Sequence, residues 1–280
     1  MLVVMENNVE DSDPFKHLII DNDSFLNKLD DRSSCPICNK SRKYFCYSCY
    51  VPVKEIEDKI PNVKLPLKID IIKHAREIDG KSTSSHVAVL APDDVNIYTY
   101  PCVPEYSSEE NVVLVFPGKN AVSLADAVLE FKRRKDSGSG ENRTREESTS
   151  VIHRAVFIDS TWNQSRGIIK DPRFKDLRCV VLENRISQFW RHQEGSPRWY
   201  LATVEAVHEF LVEFYRVNNQ IEYDGRFDNL LFFFRFMYSK IHVLYDSSSL
   251  RAYKRPMFLS GIQKRKKNKQ ESESETIRND

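Results

Sequence analysis

The stretch of sequence that decides the fold of this chain reads Ala155-Val156-Phe157-Ile158-Asp159-Ser160-Thr161-Trp162. It begins with a short apolar run of the kind that forms a buried strand. A carboxylate, a hydroxyl and an indole follow directly, so we expect them at the carboxyl end of that strand. In open α/β folds, ligands bind at this edge of the sheet. The alternative interpretation is local, because Asp159 or Ser160 would also serve as the N-cap of a helix over residues 161–169.

The segments on either side alternate between helix-like and strand-like patterns. Helical spacing of apolar residues indicates helices over 121–134 and 203–217, and the strongly apolar segment 229–244 is predicted to be a buried closing helix. Short β-rich runs predict strands over residues 67–72, 86–90, 111–116, 154–158 and 179–182. Such alternation predicts an α/β fold in which a mainly parallel sheet has helices on both faces.

Composition places the chain among soluble globular proteins. Its 280 residues are 40% hydrophobic, which allows one large domain or two modest ones. No apolar stretch is long enough to cross a bilayer, and the acidic amino terminus does not have the basic and apolar blocks of a signal peptide. We therefore expect an intracellular protein without a membrane partner. The net charge of +1 says little about other partners, because a neutral total can hide separated charged patches.

Two CxxC pairs, Cys35 with Cys38 and Cys46 with Cys49, are separated by seven residues. Structural zinc sites take four thiolates in a tetrahedron, and each CxxC turn supplies two of them. Redox CxxC motifs are the alternative, but they do not normally occur as closely spaced pairs. The spacing predicts a structural zinc knuckle with four cysteine ligands, because four cysteines leave no open coordination position. The intervening loop contains Arg42, Lys43 and Tyr44. These side chains are expected either to contact RNA or to form the solvated tip of the knuckle.

Shifts in composition divide the chain into several parts. We predict an acidic, partly ordered arm over 1–30, the zinc knuckle over 31–56, a catalytic α/β domain over 57–258, and a disordered basic and acidic tail over 259–280. Residues 136–150 contain no apolar side chain and are predicted to be a disordered insertion. The tail contains the basic block Lys264-Arg265-Lys266-Lys267-Asn268-Lys269. We expect this block to direct the protein to the nucleus through the import machinery. The alternative is a solvated charged terminus.

Five separated motifs follow the double CxxC in a fixed order. They are His74-Ala75-Arg76-Glu77, Lys81-Ser82-Thr83, Phe116-Pro117-Gly118, Asp159-Ser160-Thr161-Trp162 with Gln164 and Arg166, and Leu201-Ala202-Thr203-Val204-Glu205-Ala206. In this order they resemble the DTW-domain family, over roughly residues 35–211. The resemblance implies a fold related to the SPOUT superfamily, with a knotted backbone as an open option. Ala202 departs from the family, in which a serine is frequent at this position, so Thr203 is the candidate hydroxyl.

The resemblance implies an enzyme that acts on tRNA with S-adenosyl-L-methionine (SAM) as co-substrate. Such an enzyme transfers the 3-amino-3-carboxypropyl group to N3 of a uridine in the D-loop, forming acp3U. Two alternatives stay open. One is a zinc-knuckle module that binds RNA or protein without activity, and the other is a SAM-dependent RNA methyltransferase, which uses a different carbon of the same sulfonium. The sequence does not determine the oligomeric state or the choice of tRNA.

The motif residues have candidate roles within this chemistry. Asp159 is the candidate general base, and Thr161 and Trp162 are candidates to hold or stack a base, with core packing as the alternative for Trp162. If Asp159 acts only in catalysis, its replacement by alanine should leave stability nearly unchanged. The candidate cofactor contacts are Pro117, Gly118, Thr203 and Glu205. The alternative for Pro117 and Gly118 is a plain turn, and the alternative for Glu205 is an acid in the first turn of a helix. Candidate RNA contacts, with surface solvation as the alternative, are Arg154, Arg166, Arg191 and Arg198.

Overall fold

The computed structural model describes residues 13–107, 110–118, 120–138, 150–182, 186–190 and 199–245. The chain divides into two units, of which the first comprises Met1–Leu182 with Thr203–Phe236 and the second Glu183–Ala202 with Met237–Asp280. The parallel sheet and the four paired cysteines both belong to the first unit.

Two small antiparallel hairpins carry the paired cysteines. In the first, β1 (Ser33–Ser34) pairs with β2 (Ser41–Arg42), and in the second β3 (Phe45–Cys46) pairs with β4 (Val51–Pro52). Strands this short are not stable by themselves, so the hairpins depend on the cysteine cluster and on packing against the domain. The Phe45 ring supplies such packing, since its centroid lies 5.5 Å from that of His86 and 4.7 Å from that of Phe233.

Within the described part of the chain, the central sheet has six strands, and every neighbouring pair is parallel. Its strand order is β6-β5-β9-β7-β10-β8. The strand β9, which contains the Ala155-to-Asp159 run, therefore lies between β5 and β7, with Asp159 opposite Lys73 in register. The strands are β5 (Lys68–Lys73), β6 (Val95–Thr99), β7 (Val112–Val115), β8 (Val122–Ser123), β9 (Arg154–Asp159) and β10 (Arg178–Val181).

Helices connect these strands and complete the fold. Among the described residues, none of these helices has the length and apolar character that a membrane span requires. Short 3-10 helices occupy Ser24–Lys28, Lys54–Ile56, Pro172–Phe174 and Asp228–Leu231. The α-helices are α1 (Ser84–Leu90), α2 (Leu124–Gly138), α3 (Trp162–Ile168), α4 (Thr203–Asn219) and α5 (Phe232–Leu244).

Alternate residues of β9 point to opposite faces of the sheet, and each face is covered by helices. On one face the Phe157 ring meets the edge of Phe210 in α4 with centroids 5.6 Å apart, and α4 in turn packs against α1 and α2. On the other face Val156 packs in a cluster with Ile168 of α3 and with Phe174. The predicted parallel α/β sheet with helices on both faces is confirmed.

One predicted strand is wrong, and two strands of the central sheet had not been predicted. Residues 86–90 belong to α1, whose seven residues are all buried. A fully buried helix shows no polar face, so its short apolar run cannot be distinguished from a buried strand by pattern. The strands β6 and β8 were not predicted, and β8 takes the first residues of the segment expected to be the 121–134 helix, which begins at Leu124.

Two other expectations are partly met. The closing helix predicted over 229–244 is a 3-10 turn followed by α5, in which Phe232, Phe233 and Phe234 are fully buried. The insertion predicted over 136–150 begins later than expected, because α2 continues to Gly138. Residues 139–149 of that prediction lie outside the described residues, as do residues 246–280, which include the predicted tail over 259–280.

The amino-terminal arm is held against the domain from residue 13 onward. The Phe15 ring packs against Phe234 with centroids 6.1 Å apart, and the Ile19 amide donates to Asp228 Oδ2 at 2.8 Å. Arg235 of α5 forms an ion pair with Asp23, in which Nη2 and Oδ2 are 2.9 Å apart. The described part of the acidic arm is therefore tied to the start of α5, while the prediction for residues 1–12 lies outside the described residues.

Candidate functional site

Asp159 ends the central strand β9 and is held at both of its carboxylate oxygens. Its side chain is 7% exposed. Oδ2 accepts a hydrogen bond from Ser82 Oγ at 2.5 Å, and Oδ1 accepts one from Thr203 Oγ1 at 2.7 Å. Because each carboxylate oxygen has two lone pairs, both retain capacity for a further donor. The carboxylate is therefore fixed in orientation and still able to accept a proton.

The hydroxyl donors come from two separate elements that meet at this edge. Ser82 precedes α1, and its hydroxyl also lies 2.6 Å from Ser84 Oγ. Thr203 begins α4, and the next amide, that of Val204, donates to Thr83 Oγ1 at 3.2 Å. These bonds join the segment before α1 to the first turn of α4, across the end of β9. A carboxylate at the strand end is what brings the two motifs Lys81-Ser82-Thr83 and Thr203-Val204-Glu205 together.

Three residues that the sequence patterns had not indicated complete this edge: Tyr50, Lys73 and Asp79. Lys73 ends β5, is 8% exposed and forms an ion pair with Asp79. The Tyr50 hydroxyl also lies close enough to this ammonium to stabilise its charged form. Burial alone would lower the pKa of Lys73, but Asp79 and Tyr50 outweigh it and raise that pKa above the usual value. The side chain is therefore a cation at neutral pH. The signal in the sequence was a charged residue ending an apolar strand, as Asp159 does.

Thr161 and Trp162 have structural partners at the start of α3. Thr161 is the N-cap of this helix, and its amide donates to Gln164 Oε1 at 3.0 Å as part of a capping box. The Trp162 ring packs against Phe116 with centroids 5.7 Å apart, and Phe116 belongs to the core on the α3 face. The Asp159 side chain instead meets α4. The structure thus brings Asp159 and Thr203 together and does not show Trp162 beside them.

The cofactor candidates lie at the same edge of the sheet. Pro117 and Gly118 are exposed and follow β7, the other neighbour of β9. Gly118 does not have a positive φ, and a Cβ there would meet only Cys179 Sγ, at 3.8 Å. The backbone conformation therefore does not require glycine. Close approach of a ligand to the backbone would explain why this residue has no side chain. Glu205 is buried in the first turn of α4.

The four arginine candidates do not form one group. Arg154 begins β9, at the opposite edge from Asp159, and its Nη1 lies 2.9 Å from Asp70 Oδ1. Asp70 is fully buried, and that burial raises its pKa despite the nearby Arg154. Arg154 is therefore placed by a buried ion pair away from the site. Arg166 is exposed on α3, while Arg191 and Arg198 lie outside the described residues.

The four cysteines of the two hairpins converge. Their Sγ atoms all lie within 4.8 Å of one another, and those of Cys38 and Cys46 are 3.7 Å apart. A tetrahedral Zn–S bond of about 2.3 Å places neighbouring sulfurs about 3.8 Å apart, so the cluster fits zinc. Burial opposes ionisation of Cys46, but a backbone hydrogen bond from Ser48 and the Arg42 guanidinium outweigh it and lower the pKa of Cys46 to about 6. A thiolate is the form that binds metal.

The loop between the cysteine pairs is not a solvated tip. Arg42 is 6% exposed, donates from Nε to Cys46 Sγ at 3.3 Å and stacks over the Tyr47 ring at 4.0 Å. The Tyr44 ring packs against Phe236 with centroids 5.2 Å apart. The interpretation as a solvated tip is therefore wrong for Arg42, which is buried within the knuckle, while the half-buried Tyr44 contributes to the contact with α5.

Comparison with known proteins gives a consistent family. The DTW domain matches residues 43–242. The tRNA-uridine aminocarboxypropyltransferase 1 of Xenopus tropicalis is 46% identical over 234 residues, which cover 75% of this chain and 80% of the relative. The proteins of the same name from Rattus norvegicus and Homo sapiens are 44% and 41% identical, over 82% and 83% of this chain and 84% and 85% of their own lengths.

Among solved structures, the SAM-dependent rRNA:acp-transferase Tsr3 from Vulcanisaeta distributa is similar at 12% identity and a TM-score of 0.35, covering 67% of this chain and 89% of that one. A TM-score of this size does not establish a shared topology. The domain match and the sequence relatives do not depend on it, since they span most of the chain at 41–46% identity. This chain therefore belongs to the DTW-domain family.

Proposed function

We propose that this protein is a SAM-dependent tRNA-uridine aminocarboxypropyltransferase. The observation that carries the proposal is the identity of 41–46% to proteins named for this activity, over 80–85% of their lengths. The finer assignment, to N3 of a uridine in the D-loop, rests on the motifs of the family. The geometry supports it with a fixed carboxylate, a buried cation and an open glycine turn at the ends of three adjacent strands.

The proposed reaction is a substitution at carbon. Uridine N3 forms a bond to the γ-carbon of the methionine moiety, the carbon–sulfur bond breaks, and sulfur takes the electron pair. When bound, SAM supplies a positively charged sulfonium, so methylthioadenosine leaves as a neutral thioether without an acid. The protein must remove one proton from N3 and hold the two reacting atoms in line.

Asp159 is the proposed acceptor of the N3 proton. Ser82 and Thr203 hold its two oxygens in place, so accepting the proton requires no rotation of the side chain. Proton transfer that accompanies carbon–nitrogen bond formation avoids a free imide anion. In this proposal Thr203 orients the base, Thr161 fixes the loop after β9 by capping α3, and Glu205 faces the ammonium of the transferred group. Gly118, with Pro117, admits the nucleoside.

Recognition of tRNA requires the target base to leave its stack. Single-stranded loops are recognised by stacking on aromatic rings and by contacts to the Watson–Crick edge. Trp162, which is partly exposed, is the proposed stacking ring, and Arg166 with Arg191 and Arg198 are the proposed phosphate contacts. Arg154 is not included, because it lies at the opposite edge of the sheet in a pair with Asp70.

The test of the activity is product analysis. Purified protein would be incubated with unmodified tRNA and SAM, and the digested nucleosides would be analysed by mass spectrometry. We expect a uridine that carries the aminocarboxypropyl group. A product with only a methyl group would show the methyltransferase alternative, and tRNA binding without any product would show the inactive RNA-binding module.

We further propose that the protein accumulates in the nucleus through the basic block at Lys264–Lys269, which lies outside the described residues. Short clusters of lysine and arginine are read by the import machinery. Chains that end at Gly261 should lose nuclear accumulation in cells and still modify tRNA when purified. Full nuclear retention of that truncated chain would reject this assignment.

A further inference from the structure

The cysteine cluster is built from two turns of the same shape, which end in different residues. In the first turn the Asn39 amide donates to the Cys35 carbonyl at 3.0 Å, and in the second the Tyr50 amide donates to the Cys46 carbonyl at 2.7 Å. Asn39 and Tyr50 both have left-handed backbones, with φ of 58° and 56°. Asparagine adopts this conformation readily, whereas for a bulky aromatic residue it is strained.

Strain at a bulky residue suggests a function when its side chain makes a contact that a relaxed residue would not make. Tyr50 is half-buried, and its hydroxyl lies close enough to the Lys73 ammonium to stabilise its charged form. It also lies close enough to Asp79 and Asp159 to feel their charges. The residue that directly follows the last cysteine of the cluster therefore reaches the edge of the sheet where Asp159 lies.

Other residues of the second turn reinforce this contact. Ser48 Oγ donates to Asp79 Oδ2 at 3.4 Å. The Tyr47 ring lies against Gly80, where an added Cβ would come within 3.5 Å of the ring. Since Asp79 is also the ion-pair partner of Lys73, the second turn fixes both groups that hold the Lys73 ammonium.

Lys73 stands where it can meet a substrate. It lies opposite Asp159 in register and is 8% exposed. An ammonium has three N–H donors, and the bond to Asp79 uses one of them, so donor capacity remains for a ligand. A cation that is already held in place stabilises negative charge on a ligand without reorganisation.

We propose that Lys73 binds a negatively charged oxygen of a substrate, and that the second turn of the metal knuckle positions it through Tyr50. The inference rests on the proposed function and adds a binding residue and a positioning residue to it. The oxygen has two possible sources, namely the carboxylate of the aminocarboxypropyl group and a uracil carbonyl, on which charge develops as N3 loses its proton. Both are anionic oxygens that an ammonium would recognise.

Ligand binding and single-turnover rates distinguish the two sources. S-adenosylhomocysteine contains the carboxylate, and methylthioadenosine does not. If Lys73 binds the carboxylate, Lys73→Met weakens S-adenosylhomocysteine binding at least about tenfold and leaves methylthioadenosine binding unchanged. If it binds the uracil oxygen, both affinities are unchanged, and single-turnover transfer to tRNA falls about 100-fold. Unchanged affinities together with an unchanged rate would overturn the proposal.

Lys68→Met is the matched control. Lys68 lies on the same strand, at its other end, and forms its own ion pair with Asp94 at 2.7 Å. Both variants therefore lose one lysine from β5, but only Lys73→Met should change ligand binding or the transfer rate. Asp79 is partly exposed, so it remains solvated in Lys73→Met and the variant should fold.

Tyr50→Phe and Tyr50→Gly test the positioning role. Both should keep the metal stoichiometry, and Tyr50→Gly should not lower the melting temperature, because glycine relaxes the left-handed backbone. Both should show the defect of Lys73→Met in weaker form, either in the affinity for the same ligand or in the single-turnover rate. A Tyr50 with only a structural role would lower the melting temperature and leave these measurements unchanged, which would overturn its assignment. Should the wild-type protein transfer nothing to tRNA, the proposed function fails, and S-adenosylhomocysteine binding alone then decides the role of Lys73.

Discussion

Asp159 combines two tasks in one residue, and this changes what its substitution should do. The sequence alone suggested that alanine would leave stability nearly unchanged. In the structure, alanine would remove the acceptor from the buried Ser82 hydroxyl and from the half-buried Thr203 hydroxyl, which costs about 1–3 kcal/mol. The residue that is the proposed base also joins α4 to the segment before α1.

Asp159→Asn separates the two tasks, because an amide keeps the shape and one acceptor oxygen but is not a base. We expect transfer to fall at least about 100-fold while the free energy of unfolding falls by only about 1 kcal/mol. Single-turnover kinetics and urea unfolding measure the two effects. Asp93→Asn, at an exposed position, is the control. An active Asp159→Asn enzyme would assign the proton to another acceptor.

Gly118 gives a second prediction at this scale. Its backbone does not require glycine, and an added Cβ would be in ordinary contact with Cys179 Sγ at 3.8 Å. Gly118→Ala should therefore leave the melting temperature unchanged. If a nucleoside approaches the backbone here, affinity for S-adenosylhomocysteine should fall about tenfold, or about 1.4 kcal/mol. Calorimetric titration measures it, and an unchanged affinity would place the nucleoside elsewhere.

At the scale of elements, the two cysteine hairpins are too short to be stable without a metal. Their strands have two residues each, and a bound zinc ion would replace the core that they do not have. Because Tyr50 follows Cys49 directly, loss of the metal should also disturb Lys73. The cysteine cluster and the candidate active site are therefore linked through the second turn of the knuckle.

A chelator, or the substitution Cys35→Ser, should remove zinc and lower the melting temperature and solubility. The physical reason is that the free energy of metal binding is part of the folding free energy in such modules. Metal analysis and thermal unfolding of the same samples measure both effects. Cys102→Ser is the control, since Cys102 is exposed and lies outside the cluster. Unchanged metal content in Cys35→Ser would reject the zinc knuckle.

The amino-terminal arm is joined to α4 by a buried carboxylate, and this predicts an acid-sensitive element. Asp228 accepts hydrogen bonds from Tyr223 and from the Ile19 amide, and its Oδ1 lies 2.9 Å from His208 Nε2. Burial raises the pKa of Asp228, but the hydrogen bonds to His208, Ile19 and Tyr223 outweigh it, so the pKa lies below its ordinary value of 3.8.

The lowered pKa fixes the sign of the effect. The contribution of Asp228 to the free energy of unfolding is fully present above pH 3.8 and is lost as the pH falls through the lower folded-state value. Asp228→Asn should therefore be less stable than the wild type at neutral pH and lose less stability on acidification. Urea unfolding from pH 7 to pH 2 measures this difference. Parallel curves for the two proteins would contradict it.

At the scale of the whole molecule, parallel strands collect their carboxyl ends on one edge, and that arrangement creates the candidate site. Lys73 and Asp159 end two adjacent strands and Gly118 follows a third, although the three residues are far apart in the sequence. The connection from β9 through α3 places Trp162 on one face, while the return through α4 places Thr203 on the other. Asp159 and Trp162 belong to one continuous sequence motif, but their side chains therefore lie on opposite faces of the sheet.

The sequence by itself determined the α/β class, the cluster of four cysteines and the position of Asp159, because strand periodicity and CxxC spacing are local properties. Only the tertiary structure decided that residues 86–90 form a helix, since a fully buried segment has no polar face to show its period. It also decided that Thr203 and Ser82 hold Asp159, that Asp79 holds Lys73, and that Tyr50 lies close to the Lys73 ammonium. These partners lie on different elements, and their proximity depends on strand order and register, which short-range patterns do not encode.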